Sequence, residues 1–379
     1  MILPLAVALV AASPMAPADE EGCRRCDHRG VVACPEHDDE MLEAEKHVLF
    51  CSVAARCETC LGALVIDCKH CDGGPESARI EERRAEIRAW LAGREVERHF
   101  ERPVMRCETK HFELVFDLQE KVREGRKKVD PHVLMHRVAD DTSHVAEKVV
   151  EHFGVGEDDI FAKMRMWMWE EPSDHASALE TFLQSSATGD FKLLGRDPVF
   201  SVWKEPGLFA TVSAVRSVFT HNAGHMLVSN LFRERDIGVI GGGWFDAGVG
   251  HWYEYDRFEE SVNYCIEEAS IASNFANGVW KAAMRKLVDS TDERLVPPLL
   301  DVPTTSMSAK EQAVCWSFYD WLVVEKRDAL RPMLRDLKQE RETREIFTEH
   351  LGMGVLAAED AWREWVLETY PKREKRRRR

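Results

Sequence analysis

Eight cysteines crowd between residues 23 and 71, and their spacing repeats. Cys23-x-x-Cys26 is followed, after seven residues, by Cys34-x-x-His37, and Cys57-x-x-Cys60 is followed, after seven residues, by Cys68-x-x-Cys71. A two-residue gap lets one tight turn aim two donors at one metal. Four such turns supply eight donors, enough for two tetrahedral zinc ions. A segment this small then folds through its metal. A disulfide scaffold is the competing use of so many cysteines, but a histidine standing at one of the repeat positions favours metal. Cys51 falls outside the repeat and reads as a buried or free thiol.

Glycines follow the pairs at Gly30, Gly62, Gly73 and Gly74. With them, the segment resembles the Cys-rich zinc domain of DnaJ-type chaperones, which binds two zincs in nested pairs. That resemblance implies Cys23 and Cys26 with Cys68 and Cys71, and Cys34 and His37 with Cys57 and Cys60. The spacing alone allows the adjacent-half pairing equally. His37 replaces a cysteine of that family, several of its glycines are missing, and the chain has no His-Pro-Asp signature, so a chaperone function does not follow.

Ahead of the module, residues 1–18 are an apolar run ending in Ala16-Pro17-Ala18 before acidic residues. This reads as a cleavable signal peptide and predicts a secreted or periplasmic protein. It is the only long uncharged apolar run, and it is too short to span a bilayer comfortably. The net charge of −16 argues against a nucleic-acid partner. The end, Lys372 to Arg379, is strongly basic and is either a solvated tail or a contact to an anionic surface. The expected organisation is a leader (1–18), a zinc module (19–74), a charged helical connector (75–102), a large domain (103–370) and the basic tail (371–379).

Hydrophobic periodicity divides the large domain. Strands are expected over 111–118, 161–169 and 200–203, and helices over 130–153, 210–232, 244–271, 310–325, 328–339 and 357–368. Strands first and helices later predict an α+β fold. The alternating Met164-Arg-Met-Trp-Met-Trp169 reads as packing. Cys107, Cys265 and Cys315 read as isolated core residues. Gly241-Gly-Gly243 reads as a flexible loop over a cleft.

The helix over 210–232 carries His221 and His225, four residues apart and therefore on one face. In zinc peptidases such a face reads His-Glu-x-x-His: the histidines hold zinc and the Glu is the general base. Here Asn222 takes the Glu position, and an amide accepts no proton at neutral pH. Further on comes Trp244-Phe-Asp-Ala-Gly-Val-Gly-His-Trp-Tyr-Glu254. The two motifs together resemble those of gluzincin (peptidase MA-like) metallopeptidases, whose second motif, Trp-x-x-Glu-Gly-x-Ala, supplies the third zinc ligand. The resemblance covers roughly 103–370 and implies a gluzincin-like domain, with Ala247 at the ligand position and Glu254 at the later acidic position.

Base and third ligand are both replaced, so no catalytic residue is assigned. His221 and His225 are either packed core histidines or part of a metal site, with His251 or Asp246 as the candidate third donor. The leading expectation is an exported zinc-binding protein with an inactive peptidase-like domain that binds peptide or protein. The alternative is an atypical zinc hydrolase. A third reading is a scaffold whose zinc module makes the contacts. The expected cofactors are two zinc ions in the module and a further one in the large domain if the histidines bind it. No nucleophile elbow and no phosphate loop is present.

Overall fold

The computed structural model describes residues 23–71, 73–156, 159–195, 197–232, 236–238, 241–265 and 274–373. The expected leader and the basic tail beyond Arg373 lie outside them. In the Cys-rich module, β1 (Val31–Ala33) and β3 (Val65–Asp67) form an antiparallel ribbon, with Val32 opposite Ile66. Between them come α1 (Asp39–Ala44), whose N-terminus is capped by the Asp38 carboxylate, and the two-residue β2 (Phe50–Cys51). β2 leaves the ribbon and joins the main sheet, where Cys51 faces Cys107.

The charged stretch that follows is helical, forming α2 (Ser77–Ala92) and α3 (Glu95–Phe100). α2 buries Ile80 and Ile87, and its last carbonyls meet a guanidinium. Arg106 donates to the Trp90 and Gly93 carbonyls at 2.9 Å and lies over the Trp90 ring. A cation at this end of a helix is favoured by the macrodipole.

The next strands are β4 (Met105–Glu108), β5 (Phe112–Asp117), a hairpin of β6 (Val122–Glu124) and β7 (Lys127–Val129), β8 (Met164–Trp169), β9 (Phe191–Leu193) and β10 (Val199–Trp203). The main sheet is mixed and runs β2-β4-β5-β8-β10-β9. Its centre, β5-β8-β10, is parallel, and the outer strands are antiparallel. Parallel neighbours need long crossovers; α4 (Pro131–Phe153) supplies the one between β5 and β8.

β8 is buried on both faces. Met164, Met166 and Met168 join Phe112, Leu114 and Phe116 in the large core, while Trp167 and Trp169 pack with Val115, Val199 and Ala178 on the other side. The alternating run is therefore packing. Ala178 ends α5 (Pro172–Ala178), which covers that second face.

Helices build the rest: α6 (Val212–Asn230), α7 (Gly243–Phe258), α8 (Lys281–Ser290), α9 (Ala309–Glu325), α10 (Arg327–Lys338), α11 (Thr343–Leu351) and α12 (Val355–Thr369). α7 lies between α6 and α9. Two expectations are corrected here. The helix expected to run to Ile271 stops at Phe258: Glu259 adopts φ 56°, and Ser261–Cys265 carries no helix. Gly243 is not in a flexible loop but opens α7, where a Cβ would come 2.2 Å from the Val302 carbonyl. No described helix is long and apolar enough to cross a membrane.

Candidate metal centres

The ribbon of β1 and β3 decides how the cysteines of the module meet. Cys23 and Cys26 precede β1 and Cys68 follows β3, so these lie at one end of the ribbon. Cys34 follows β1 and Cys60 precedes β3, so these lie at the other. Cys23 Sγ is 3.8 Å from Cys68 Sγ, and Cys26 Sγ is 3.8 Å from Cys71 Sγ. Cys34 Sγ is 3.9 Å from Cys57 Sγ, and His37 Nε2 is 3.2 Å from Cys60 Sγ. The groups are thus Cys23-Cys26-Cys68-Cys71 and Cys34-His37-Cys57-Cys60, each able to hold one metal ion. This is the nested arrangement; the adjacent-half pairing does not occur.

Every cysteine is unpaired. The sulfur separations are far beyond a bond of about 2.05 Å. They suit a tetrahedral ion, for which donors ~2.0–2.3 Å from zinc sit about 3.3–3.8 Å apart. Burial pushes the Cys60 thiol up to about 12, whereas the Arg25 backbone N–H pulls Cys23 below the ordinary thiol range. Neighbouring thiolates repel one another, and a divalent cation is what lets all of them ionise.

In the helical layer, α6 carries both His221 and His225 and brings them to one point, with α7 behind them. The two Nε2 atoms are 3.1 Å apart. Cys265 Sγ completes a triangle, 3.2 Å from His221 Nε2 and 3.1 Å from His225 Nε2. Each imidazole is aimed from behind by a carboxylate. His225 Nδ1 donates to Asp246 at 2.7 Å, and His221 Nδ1 donates to Glu254 at 3.1 Å. Such pairs fix the tautomer that leaves Nε2 free to ligate. Close helix approach makes room for this: a Cβ on Gly250 would stand 2.2 Å from His225 Nε2.

The supports are themselves held. Asp246 accepts from the Thr304 hydroxyl at 2.8 Å. Glu254, fully buried, accepts from Ser261, the Val262 N–H and Asn263 at 2.6, 2.9 and 2.6 Å. Gln312 on α9 clasps Cys265, accepting from its N–H at 3.0 Å and donating to its carbonyl at 2.8 Å. This clasp, with the bonds that Glu254 accepts from Val262 and Asn263, holds the segment after α7 against the histidines.

The electrostatics leave a thiolate at the point of convergence, and a metal ion there would displace the proton that Asp246 holds on His225. Burial alone would raise the Cys265 thiol, but His225 and His221 overcome it and bring it down to about 5. Burial would likewise lower His225, yet Asp246 holds it up at about 9. Burial raises Glu254 to about 8 and lowers His221. Two imidazoles and a thiolate converging on one point are a donor set for zinc, and also for copper.

Several expectations are corrected by this geometry. Cys265 is not an isolated core residue but stands against both histidines. Cys265, rather than His251, stands against both Nε2 atoms; His251 Nε2 donates to Gln312 at 2.7 Å, and its Nδ1 is 2.8 Å from the Ser261 hydroxyl. His251, His221 and Glu254 are mutually close enough for a cation, but the engaged ring of His251 argues against it. Asp246 orients His225 and does not take the donor position. Asn222 donates back to the Val218 carbonyl at 2.9 Å, within its own helix. Ala247 is fully buried in the core. The sequence signal for Cys265 is thin: one cysteine beyond the second motif, in a chain that already uses cysteines as ligands.

No family model matches this chain, and no curated protein matches it. The likeness to gluzincins and to DnaJ-type modules therefore rests on the motifs themselves.

Proposed function

We propose that this is an exported zinc-binding protein in which a peptidase-like domain keeps a metal centre but not the machinery of hydrolysis, and serves to bind a peptide or protein partner. The observation that carries this reading is the triangle of His221 Nε2, His225 Nε2 and Cys265 Sγ, with sides of 3.1–3.2 Å. A metal is held there by a thiolate in place of a carboxylate, and the base position is an amide turned into its own helix. Losing a positioned base typically costs ~10²- to 10⁴-fold in rate. Export, the peptidase ancestry and contact between the basic tail and an anionic surface are parts of the same reading, supported by the leader, the paired motifs and the charge run.

Three protein donors leave a fourth position, as catalytic sites do, and this favours a second reading as an atypical zinc hydrolase. One experiment separates them, and it uses the full chain because β2 of the module is a strand of the main sheet. Elemental mass spectrometry of purified wild type and His221→Ala should show one metal ion lost in the variant, with neither protein cleaving a peptide library. Equal metal content in the two folded proteins would remove the metal centre from the proposal. Cleavage by wild type that disappears in His221→Ala would establish the hydrolase instead.

A further inference from the structure

Away from these sites, four more ligating side chains meet where the module touches the main body. Glu45 begins a short turn after α1, Cys51 ends β2, and His132 and His136 stand one turn apart at the start of α4. Their donor atoms all lie within 4.8 Å of one another. His132 Nε2 is 3.3 Å from Cys51 Sγ and 2.9 Å from His136 Nε2, and His136 Nε2 is 3.1 Å from Glu45 Oε1. Glu45, Cys51 and His136 are 7%, 5% and 4% exposed.

Protons alone satisfy this group poorly. Two Nε2 atoms facing each other share at most one proton between them. Glu45 Oε1 is enclosed and, despite its closeness to His136, makes no aligned hydrogen bond; His136 Nδ1 makes none either. A buried polar group without a partner is costly. A tetrahedral zinc ion would place its donors about 3.3–3.6 Å apart, close to the spacings here. The charges also balance: one thiolate and one carboxylate neutralise a divalent ion, which suits a buried position.

We propose that Glu45, Cys51, His132 and His136 form a further zinc site that staples the Cys-rich module to α4. The segment it fixes lies between the two halves of the module's repeat. β2, which carries Cys51, is an outer strand of two residues paired with β4. So short a strand contributes little hold of its own, and the metal supplies a cross-link between segments 81 residues apart. The sequence carries a trace of the site: His132-x-x-x-His136 has the spacing of neighbours on a helix, directly after the Asp130-Pro131 helix start.

The test is the zinc count per chain after reconstitution with zinc salt, with folding checked by circular dichroism. Cys51→Ala and His136→Gln should each lose one zinc relative to wild type. Adding His221→Ala to either should lose one more, so the two centres are read separately. A folded Cys51→Ala or His136→Gln protein with the wild-type count overturns the site. If both variants fail to fold, His132→Gln, at a partly exposed corner, takes their place: one zinc lost supports the site, and the wild-type count overturns it.

Discussion

His152, in the last turn of α4, shows how one buried side chain sets a response to acid. It lies edge-on to Trp252, stacked on Tyr253, and its Nδ1 is 3.2 Å from the Tyr253 hydroxyl. Burial, helped by the Arg327 charge, lowers its pKa to about 4. The unfolded chain binds this proton near pH 6.5 and the folded chain only near pH 4. Stability is therefore complete above pH 6.5, falls as the pH drops between these values, and falls no further from this group below pH 4. The loss is on the order of 3 kcal/mol. His152→Gln keeps a polar partner for Tyr253 without the titration. Its urea midpoint should decline less than that of wild type between pH 6.5 and 4, and parallel declines would refute the assignment. Loss of zinc in acid is common to both proteins and cancels in the comparison.

At the scale of elements, what is legible in the sequence follows from what is local. β5, β8, α4, α6, α9, α10 and α12 match the hydrophobic pattern to within a few residues, because each is a long apolar or periodic run, and three of the helices carry their own start signals. Asp130-Pro131 opens α4, Thr211 caps α6 on the Ala214 N–H, and Ser308 with Glu311 forms a capping box on α9. β2 and the β6–β7 hairpin escape the pattern because strands of two or three residues leave no period to count. The end of α7 escapes it because tertiary bonds to Gln312 and Glu254, not local propensity, hold the segment that follows. Cys265 and the Glu45 cluster stay hidden for the same reason: their partners are far away in sequence.

α6 also ends by tertiary means. It has no glycine cap; instead, buried Lys338 of α10 donates to the Ser229 and Leu231 carbonyls, both at 2.8 Å. A cation at a helix C-terminus is favourable, and carbonyls stripped of it are left buried and unsatisfied. Lys338→Met should therefore destabilise the fold by about 1–3 kcal/mol in urea denaturation. A variant as stable as wild type would mean that the carbonyls find other partners.

The whole molecule divides unevenly between metal and core. The main body is held by one large apolar cluster that reaches from the sheet through α4, α6, α7 and α9 to α12. Apolar packing of that size should persist without any cation. The module has little comparable: besides its candidate ligands, Val31 and Ala54 are the fully buried apolar residues among those described in its 23–71 span. A metal ion in each of its two Cys/His groups would therefore supply most of its folding free energy. The two parts should respond to a chelator in sequence. After zinc removal, trypsin should cut first at exposed basic sites within the module, such as Arg24, Arg25 and Lys69. A fragment starting just after the module, keeping α2 and α3 and running into α12, should survive on a gel. With zinc restored, the module should be protected as well. Simultaneous digestion of module and main body would show that the metals hold up the whole molecule, and that the helical core depends on its own centre more than its packing implies.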